Sequence, residues 1–283
     1  MAEVEPRSPG DNGADPPVLM RETAICLFAF AERADAFRPR LPEATIERRL
    51  ILHCVGSIAA LVGMVPIADY HGADSERHLS DIAWLAPRVR RHAELVAWMA
   101  QGSSVFPAPF GTLYSNLDKL TAFMRAHEAT IAAFLRGVAD KEEWELRAVA
   151  DFDGPHALDR LACEAWPDWR GLSMGSRYMR LCRDKSALLE FGRADAAAFV
   201  RDFVAEVRPL TSDARPLGLP RPPSADGQEP VARYALLIAK TSVATIKDRV
   251  QEIAPRALSR HVAIALSGPW PPFSFRPHLN RPN

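Results

Sequence analysis

Apolar residues along this chain fall into runs whose period switches between that of a strand and that of a helix. The run TAICLFAF, beginning at Thr23, is almost unbroken, the pattern of a strand covered on both faces. RRLILHC and SIAALVGMV follow, parted by Val55 and Gly56, and predict a hairpin. ADYHGADSERH is polar and reads as a loop. In WLAPRVRRHAELVAWMAQG the residues Leu85, Val89, His92, Val96 and Met99 share one helix face, and Gly102 serves as the C-terminal cap.

The second half repeats the alternation. VFPAPFG is short and carries prolines, which places it at a sheet edge or strand end. SNLDKLTAFMRAHEATIAAFLRG opens with Ser115 and Asp118 as a capping pair and sets Leu117, Leu120, Met124, His127, Ile131 and Phe134 on one stripe. EEWELRAVA alternates, with Trp144, Leu146 and Ala148 inward and Glu143, Glu145 and Arg147 on a solvated face. Residues 172–208 read as two inserted helices, one through Met174, Tyr178, Leu181, Lys185 and Leu188. The other runs through Ala196, Val200, Phe203 and Val207 and stops at Pro209. The stretch 209–230 is proline-rich and aperiodic, a flexible connection. YALLIA and HVAIALS are strands flanking the helix SVATIKDRVQEIA, whose Val243, Ile246, Val250 and Ile253 point inward.

These elements predict an α+β protein of two domains after a tail at 1–20. The first domain, 21–102, has three strands and one helix. The second, 103–283, counts as two β-α-β units with inserted helices between them, the split βαβ arrangement of ferredoxin-like folds. A proline- and aromatic-rich segment ends it.

Composition narrows the function. The 283 residues are 48% hydrophobic, enough for a substantial core, and the formal net charge is +0. Nucleic-acid binding needs a basic surface that this balance does not supply overall. Cys26, Cys54, Cys163 and Cys182 are scattered, with none of the close pairs that zinc or redox sites use; they read as small apolar fillers in a reducing cytosol. The N-terminal MAEVEPRSPGDNGADPPVLM has no apolar core, so it reads as a disordered tail and not a signal peptide. The longest apolar stretch, CVGSIAALVGMVPIA, is too short and too interrupted to span a membrane, and the chain reads as soluble.

Candidate chemistry is sparse. GLSMG, residues 171–175, matches the G-x-S-x-G elbow that would make Ser173 a nucleophile, with Asp195 and His261 downstream in the required order. That elbow needs a buried strand immediately before it, and CEAWPDWR is not one; the plainer reading makes Ser173 or Ser176 a helix cap. His71, Asp74, His78 and Asp81 are metal-ligating types in one polar stretch, more simply a solvated loop. His92 and His127 lie on apolar helix faces and read as core histidines. No glycine-rich phosphate loop is present. The reading is therefore non-enzymatic, with no cofactor and no metal.

Two motifs carry a resemblance. VFPAPFGTLYSNLDKL, with Phe110, Gly111 and Thr112, resembles the P-x-x-FGT-x-[FY]-S signature of the gas vesicle synthesis protein F/L family, and GPWPPFSF, residues 268–275, is similar to that family's closing G-P-W-P-P-Y-S-F. Between them EEWELRAVA, with Trp144, resembles its E-W strand, Gly175 and Tyr178 its G-x-x-Y helix start, and HAELVAWM its preceding helix. The resemblance spans roughly 23–275. Pro109 stands where the family often has arginine, Phe273 replaces the usual tyrosine, and the proline-rich connection is longer. The resemblance implies an accessory or minor structural protein of gas vesicles, which are gas-filled protein shells in the cytoplasm. It implies binding to the very hydrophobic major shell protein, contact with other accessory proteins and a ferredoxin-like C-terminal domain; charge and the broken apolar stretch leave nucleic acid and membranes out of the expected partners. A serine hydrolase and a generic protein–protein adaptor are the competing readings.

The closing motif, Gly268, Pro269, Trp270, Pro271, Pro272, Phe273 and Phe275, has two explanations. Its prolines stiffen a path that holds large aromatics in place. The segment reads first as an internal latch that plugs the gap between the domains with Trp270 buried, as large aromatics usually are, and second as a surface presented to a partner; Trp270→Ala distinguishes them, lowering stability only in the first.

Overall fold

The computed structural model of the chain describes residues 23–33, 41–70, 75–152, 155–219 and 229–280. The tail expected at 1–20 lies outside them. Two antiparallel sheets organise the fold. The first has the order β2 (Arg49–Val55), β3 (Ile58–Pro66), β1 (Thr23–Glu32), β4 (Val105–Pro107), with β5 (Leu113–Tyr114) also pairing with β1. The predicted hairpin is β2–β3, which turns between Val55 and Ile58.

β1 is apolar throughout because both of its faces are covered. Helix α2 (Ile82–Ala100) lays Leu95, Val96 and Met99 against Ala24, Cys26, Phe28 and Leu61. Helix α3 (Leu117–Gly137) lays Leu120, Phe123, Met124 and Ile131 against Ile25, Leu27, Phe30 and Val62 on the other side. An irregularity between Leu27 and Ala29 puts Phe28 and Ala29 on the same face and restores the alternation beyond it. α2 is capped by Asp81, whose side chain accepts from the Ala83 N–H. α3 is capped by Asn116, accepting from Lys119, and not by Ser115 as the capping-box pattern predicted. The short helix α1 (Ser75–Ser80) forms inside the stretch read as a loop.

The second sheet has the order β7 (Asp213–Pro216), β8 (Glu229–Ala239), β6 (Lys141–Ala150), β9 (Val262–Trp270). On one face Trp144, Leu146, Leu236 and Val262 pack under α4 (Pro155–Ala165), α5 (Met174–Val207) and α6 (Val243–Leu258). Of the inward positions predicted for β6 and α6, Trp144, Leu146, Ala148, Ile246, Val250 and Ile253 are buried and Val243 is half-buried.

Three expectations are corrected. VFPAPFG and its helix do not begin the second sheet: β4 and β5 pair with β1, and α3 packs on the first sheet. Their apolar residues complete a face that α2 alone leaves open. The region 172–208 is a single helix of 34 residues, because no proline interrupts it before Pro209. The proline-rich connection holds a strand, β7, which pairs with β8 through Asp213 to Pro216; its aperiodic composition hid an edge strand, a place where proline is tolerated. Residues 220–228 of that connection lie outside the described residues.

β6 and β9 run in register except between Glu143 and Glu145, which face Trp270 and Ser267. Gly268 and Pro269 form the extra step there, joined by a cis peptide bond. Gly268 sits at φ +151°, and a Cβ on it would meet the Trp144 ring at 2.9 Å and the Glu143 carbonyl oxygen at 3.0 Å. Trp144 and Gly268 are therefore one packing unit, with the Lys247 ammonium 4.5 Å from the ring centroid on that tryptophan. Gly268→Ala is expected to lower stability by about 3 kcal/mol, from strained backbone plus overpacking. Chemical denaturation measures it, and an unchanged midpoint would contradict this account of the bulge.

Candidate functional site

The closing motif lies where the two sheets approach each other, and its residues divide by role. Trp270, the last residue of β9, is 52% exposed. Pro271 and Pro272 are buried behind it. Phe273 packs against the α2-side core of the first sheet. Phe275, 6% exposed, joins Val138, Ala235 and Leu237 on the face of the second sheet opposite its helices. The latch is thus made by Phe273 and Phe275, while Trp270 faces outward. The expectation that Trp270 decides between latch and partner surface gives way to a motif that does the first with one end and exposes the other.

Ser274 fastens the segment. Its N–H donates to Glu143 at 2.9 Å, its hydroxyl donates to the same carboxylate at 2.7 Å, and its carbonyl accepts from Arg215 at 2.9 Å. The Arg215 guanidinium also stands 5.0 Å from the Phe275 ring centroid. Glu143, predicted on a solvated strand face, is buried because this segment folds over it. Burial pushes its carboxyl above the ordinary value, against the two bonds from Ser274, which pull it down. Beyond the motif, Arg276 donates to the Pro107 carbonyl, Leu279 joins the α3-side core, and His127 bonds the Asn280 carbonyl at 2.7 Å. Alternation alone marks Glu143 as a surface residue, and Arg215 lies in the stretch read as an aperiodic connection. No local signal identifies their partner, which lies 131 residues from Glu143 in the chain.

The FGT box is a turn that interrupts one edge of the first sheet. Thr112 N–H donates to the Pro109 carbonyl, and Gly111 between them has φ +75°, the positive φ that the third position of a type II turn requires. The Thr112 hydroxyl also donates to Pro109 at 2.7 Å. On either side the chain returns to β1: Ala108 donates to Phe28, and Leu27 donates to Thr112. Phe110 leans on the His92 ring, 5.8 Å between centroids. His92 is buried and bonds the Ala108 carbonyl through Nε2 at 3.0 Å, which makes Nε2 the protonated nitrogen. Burial holds His92 below its ordinary pKa; the Arg276 cation lowers it further, and the bond to Ala108 opposes both. His92 and Phe110 therefore brace the turn. Arg276, the residue after the closing motif, donates to Pro107, which ends β4 just ahead of the FGT turn.

Tyr178 is separate from both. It lies on the first turns of α5, which project beyond the core; Met174 is 88% exposed, and Tyr178 and Met179 are each 67% exposed. Ser173 caps this helix by accepting from the Ser176 N–H at 3.2 Å. It follows a 3-10 turn, Trp169–Gly171, and not a strand. Asp195 is held by Arg260 at 2.8 Å. The nucleophile elbow is thus absent at GLSMG. Of the polar stretch near residue 75, His71 and Asp74 lie outside the described residues. His78 stacks on Trp84 with centroids 4.9 Å apart, and Asp81 caps α2. Among the described residues no three His, Cys, Asp or Glu side chains converge as a metal site, and no helix is long and apolar enough to cross a membrane.

A cleft of ≈ 670 Å³ opens beside the outward tryptophan, bounded by the C-terminal end of α2, the start of β6, Lys240 and the stretch from Pro269 to Pro272. It is a junction between sheets whose walls come from both, so the closing motif gives it one side.

The chain matches the family described as gas vesicle synthesis protein GvpL/GvpF over residues 25–277 and belongs to it. It is similar to gas vesicle protein L2 of Halobacterium salinarum, 27% identical over 197 residues, covering 62% of this chain and 67% of that protein. It is also similar to gas vesicle protein L of a Streptomyces species, 25% identical over 235 residues, covering 80% and 82%. Two crystal structures share the fold. GvpF from an Anabaena species superposes with a TM-score of 0.59 at 13% identity, covering 92% of this chain and 99% of that one. GvpF from Microcystis aeruginosa gives 0.59 at 13% identity, covering 90% and 99%.

Two measurements test the latch. Phe275→Ala is expected to cost about 3–5 kcal/mol, the range for truncating a buried aromatic, and Trp270→Ala less than half as much; equal losses would contradict the division of roles. The second is a pH series on Glu143→Gln. Because the folded-state pKa of Glu143 is raised, protonation favours the folded form. The wild type should gain stability relative to the variant as pH falls from 7 toward 4.5, read as a narrowing or reversal of the difference in melting temperature. A difference that does not change with pH would remove burial of this carboxylate from the account.

Proposed function

We propose that the chain is an accessory or minor structural protein of gas vesicle assembly, acting in the cytoplasm and not as an enzyme. In this reading it holds the hydrophobic major shell protein and limits its aggregation before the shell closes. The family match over residues 25–277 carries the proposal. A shell protein with a strongly apolar face aggregates unless that face is covered, and a protein that covers it transiently needs adaptable apolar surface of its own. Met174, Tyr178 and Met179 at the projecting end of α5 supply such a surface, since methionine adapts its shape to different partners. Other accessory proteins of the vesicle would share the remaining surface.

In the same reading the second sheet is a ferredoxin-like, split βαβ unit. Its elements run strand, two helices, two strands, helix, strand, in the spatial order β7-β8-β6-β9. With β4, β5 and α3 assigned to the first sheet, the two units would divide near Val138 to Lys141 and be joined again by the closing motif.

Co-expression with a major gas vesicle shell protein tests the role. The shell protein is expected to stay in the soluble fraction and co-purify, and a Met174→Ser, Met179→Ser double variant to retain at most about half as much, with an unchanged melting temperature. Shell protein that aggregates equally with and without the chain would overturn direct client binding.

A further inference from the structure

Sheet edges offer unpaired main-chain groups to any passing strand, and folded proteins guard them with charge, proline, bulges or brevity. Three of the four edges here are guarded in those ways. β7 is four residues long and carries Asp213, Arg215 and Pro216. β4 and β5 are three and two residues long, with Pro107 and the Pro109–Thr112 turn between them. β2 carries Arg49 and His53, and His53 is bonded to Thr121 of α3 at 2.8 Å.

β9 differs. Its first six residues, VAIALS, carry no charge, proline or bulge, and among the described residues only β6 pairs with them; the bulge at Gly268 and Pro269 guards the far end alone. Its helix-facing side chains, Ile264 and Leu266, pack on the core, while Ala263, Ala265 and Ser267 are exposed on the other face. Arg147 lies directly across from Ala265 on β6, exposed and with no ion-pair partner among the described residues. Its neighbour Glu145 is already taken by Arg233 through two bonds of 2.8 and 3.0 Å. A further strand added to β9 would lie roughly 10 Å from β6, two strand spacings. An arginine extended over an alanine and a carboxylate reaching back from the added strand span that distance together.

We propose that the β9 edge receives an extended segment of another polypeptide as a fifth strand, with a carboxylate of that segment meeting Arg147 across Ala265. This rests on the reading that the chain holds another polypeptide, and it names the surface that does so. Main-chain hydrogen bonds would supply most of the affinity and Arg147 the preference. A single binding surface of this kind accepts any β-prone segment of suitable charge.

The test uses the full chain and synthetic peptides, so its outcome does not depend on the shell protein. The probe is an acetylated octapeptide alternating threonine and valine with one central glutamate, and its counterpart has lysine there. Binding is read by fluorescence anisotropy of a labelled peptide. The glutamate peptide is expected to bind about fivefold tighter than the lysine peptide, the size of a favourable against an unfavourable surface charge pair, and Arg147→Glu to reverse that order. Methylating alternate amides of the peptide should abolish binding in one register and spare it in the other, because only one edge of the peptide faces β9. Ala265→Lys should weaken binding of the lysine peptide further while leaving the melting temperature unchanged. Equal binding of all four peptides, or Arg147→Glu leaving the order intact, would overturn the proposal. So would a concentration-dependent dimer in sedimentation that the peptide disperses, which would give the edge to a second copy of this chain.

Discussion

A buried carboxylate without a direct ion pair must be satisfied by hydrogen bonds or protonated, and Glu143 is satisfied by two bonds from Ser274, with the Arg215 cation near enough to favour its charge. Much of the tertiary arrangement follows from that requirement. Seating Ser274 on β6 puts Phe275 on the second sheet and Phe273 on the first sheet. It also carries the chain onward so that Arg276, Leu279 and Asn280 reach the first sheet and α3. The chain's last described residues therefore bridge the two sheets, beside Phe134 of α3, which packs against both cores. Arg215 completes the clamp from β7, which ties the edge strand to the same serine.

The two sheets are finished differently, and this difference bears on function. The first sheet has a helix on each face and guarded edges, so its surface is helical and closed. The second has helices on one face only. Its other face is covered near β7 and β8 by Phe275 and left open near β9. The exposed aromatic of the closing motif and the unguarded strand are contiguous in the chain from Val262 to Trp270, and the cleft opens beside the tryptophan. One short segment thus joins the sheets at its C-terminal end and keeps a free edge at its N-terminal end.

Some of this was legible in residues alone. The unbroken run of β1 required cover on both faces, and two helices provide it. The alternation of β6 placed Trp144 and Leu146 inward correctly. The same alternation misplaced Glu143, because period-2 patterning cannot register a segment that returns from more than a hundred residues away. VFPAPFG was legible as edge-like, and it is; which sheet it edges depended on long-range pairing that no local pattern encodes. β7 was hidden by its prolines, residues that mark an edge strand and a loop equally well. The motif match at GLSMG failed for a local reason, the lack of a strand before Ser173, and that was visible beforehand.

The sequence by itself determined the periods of the major strands and helices, the apolar faces that had to be buried and the two motifs that mark the family. These follow from local geometry, since side chains two apart on a strand or three to four apart on a helix share a face whatever the rest of the chain does. Only the tertiary structure decided that Phe273 and Phe275 are inside while Trp270 is outside, that Gly268 exists to let Trp144 in, and that β9 ends a sheet. Those outcomes depend on which distant surfaces meet and how much room each leaves, and packing sets that between elements and not within them.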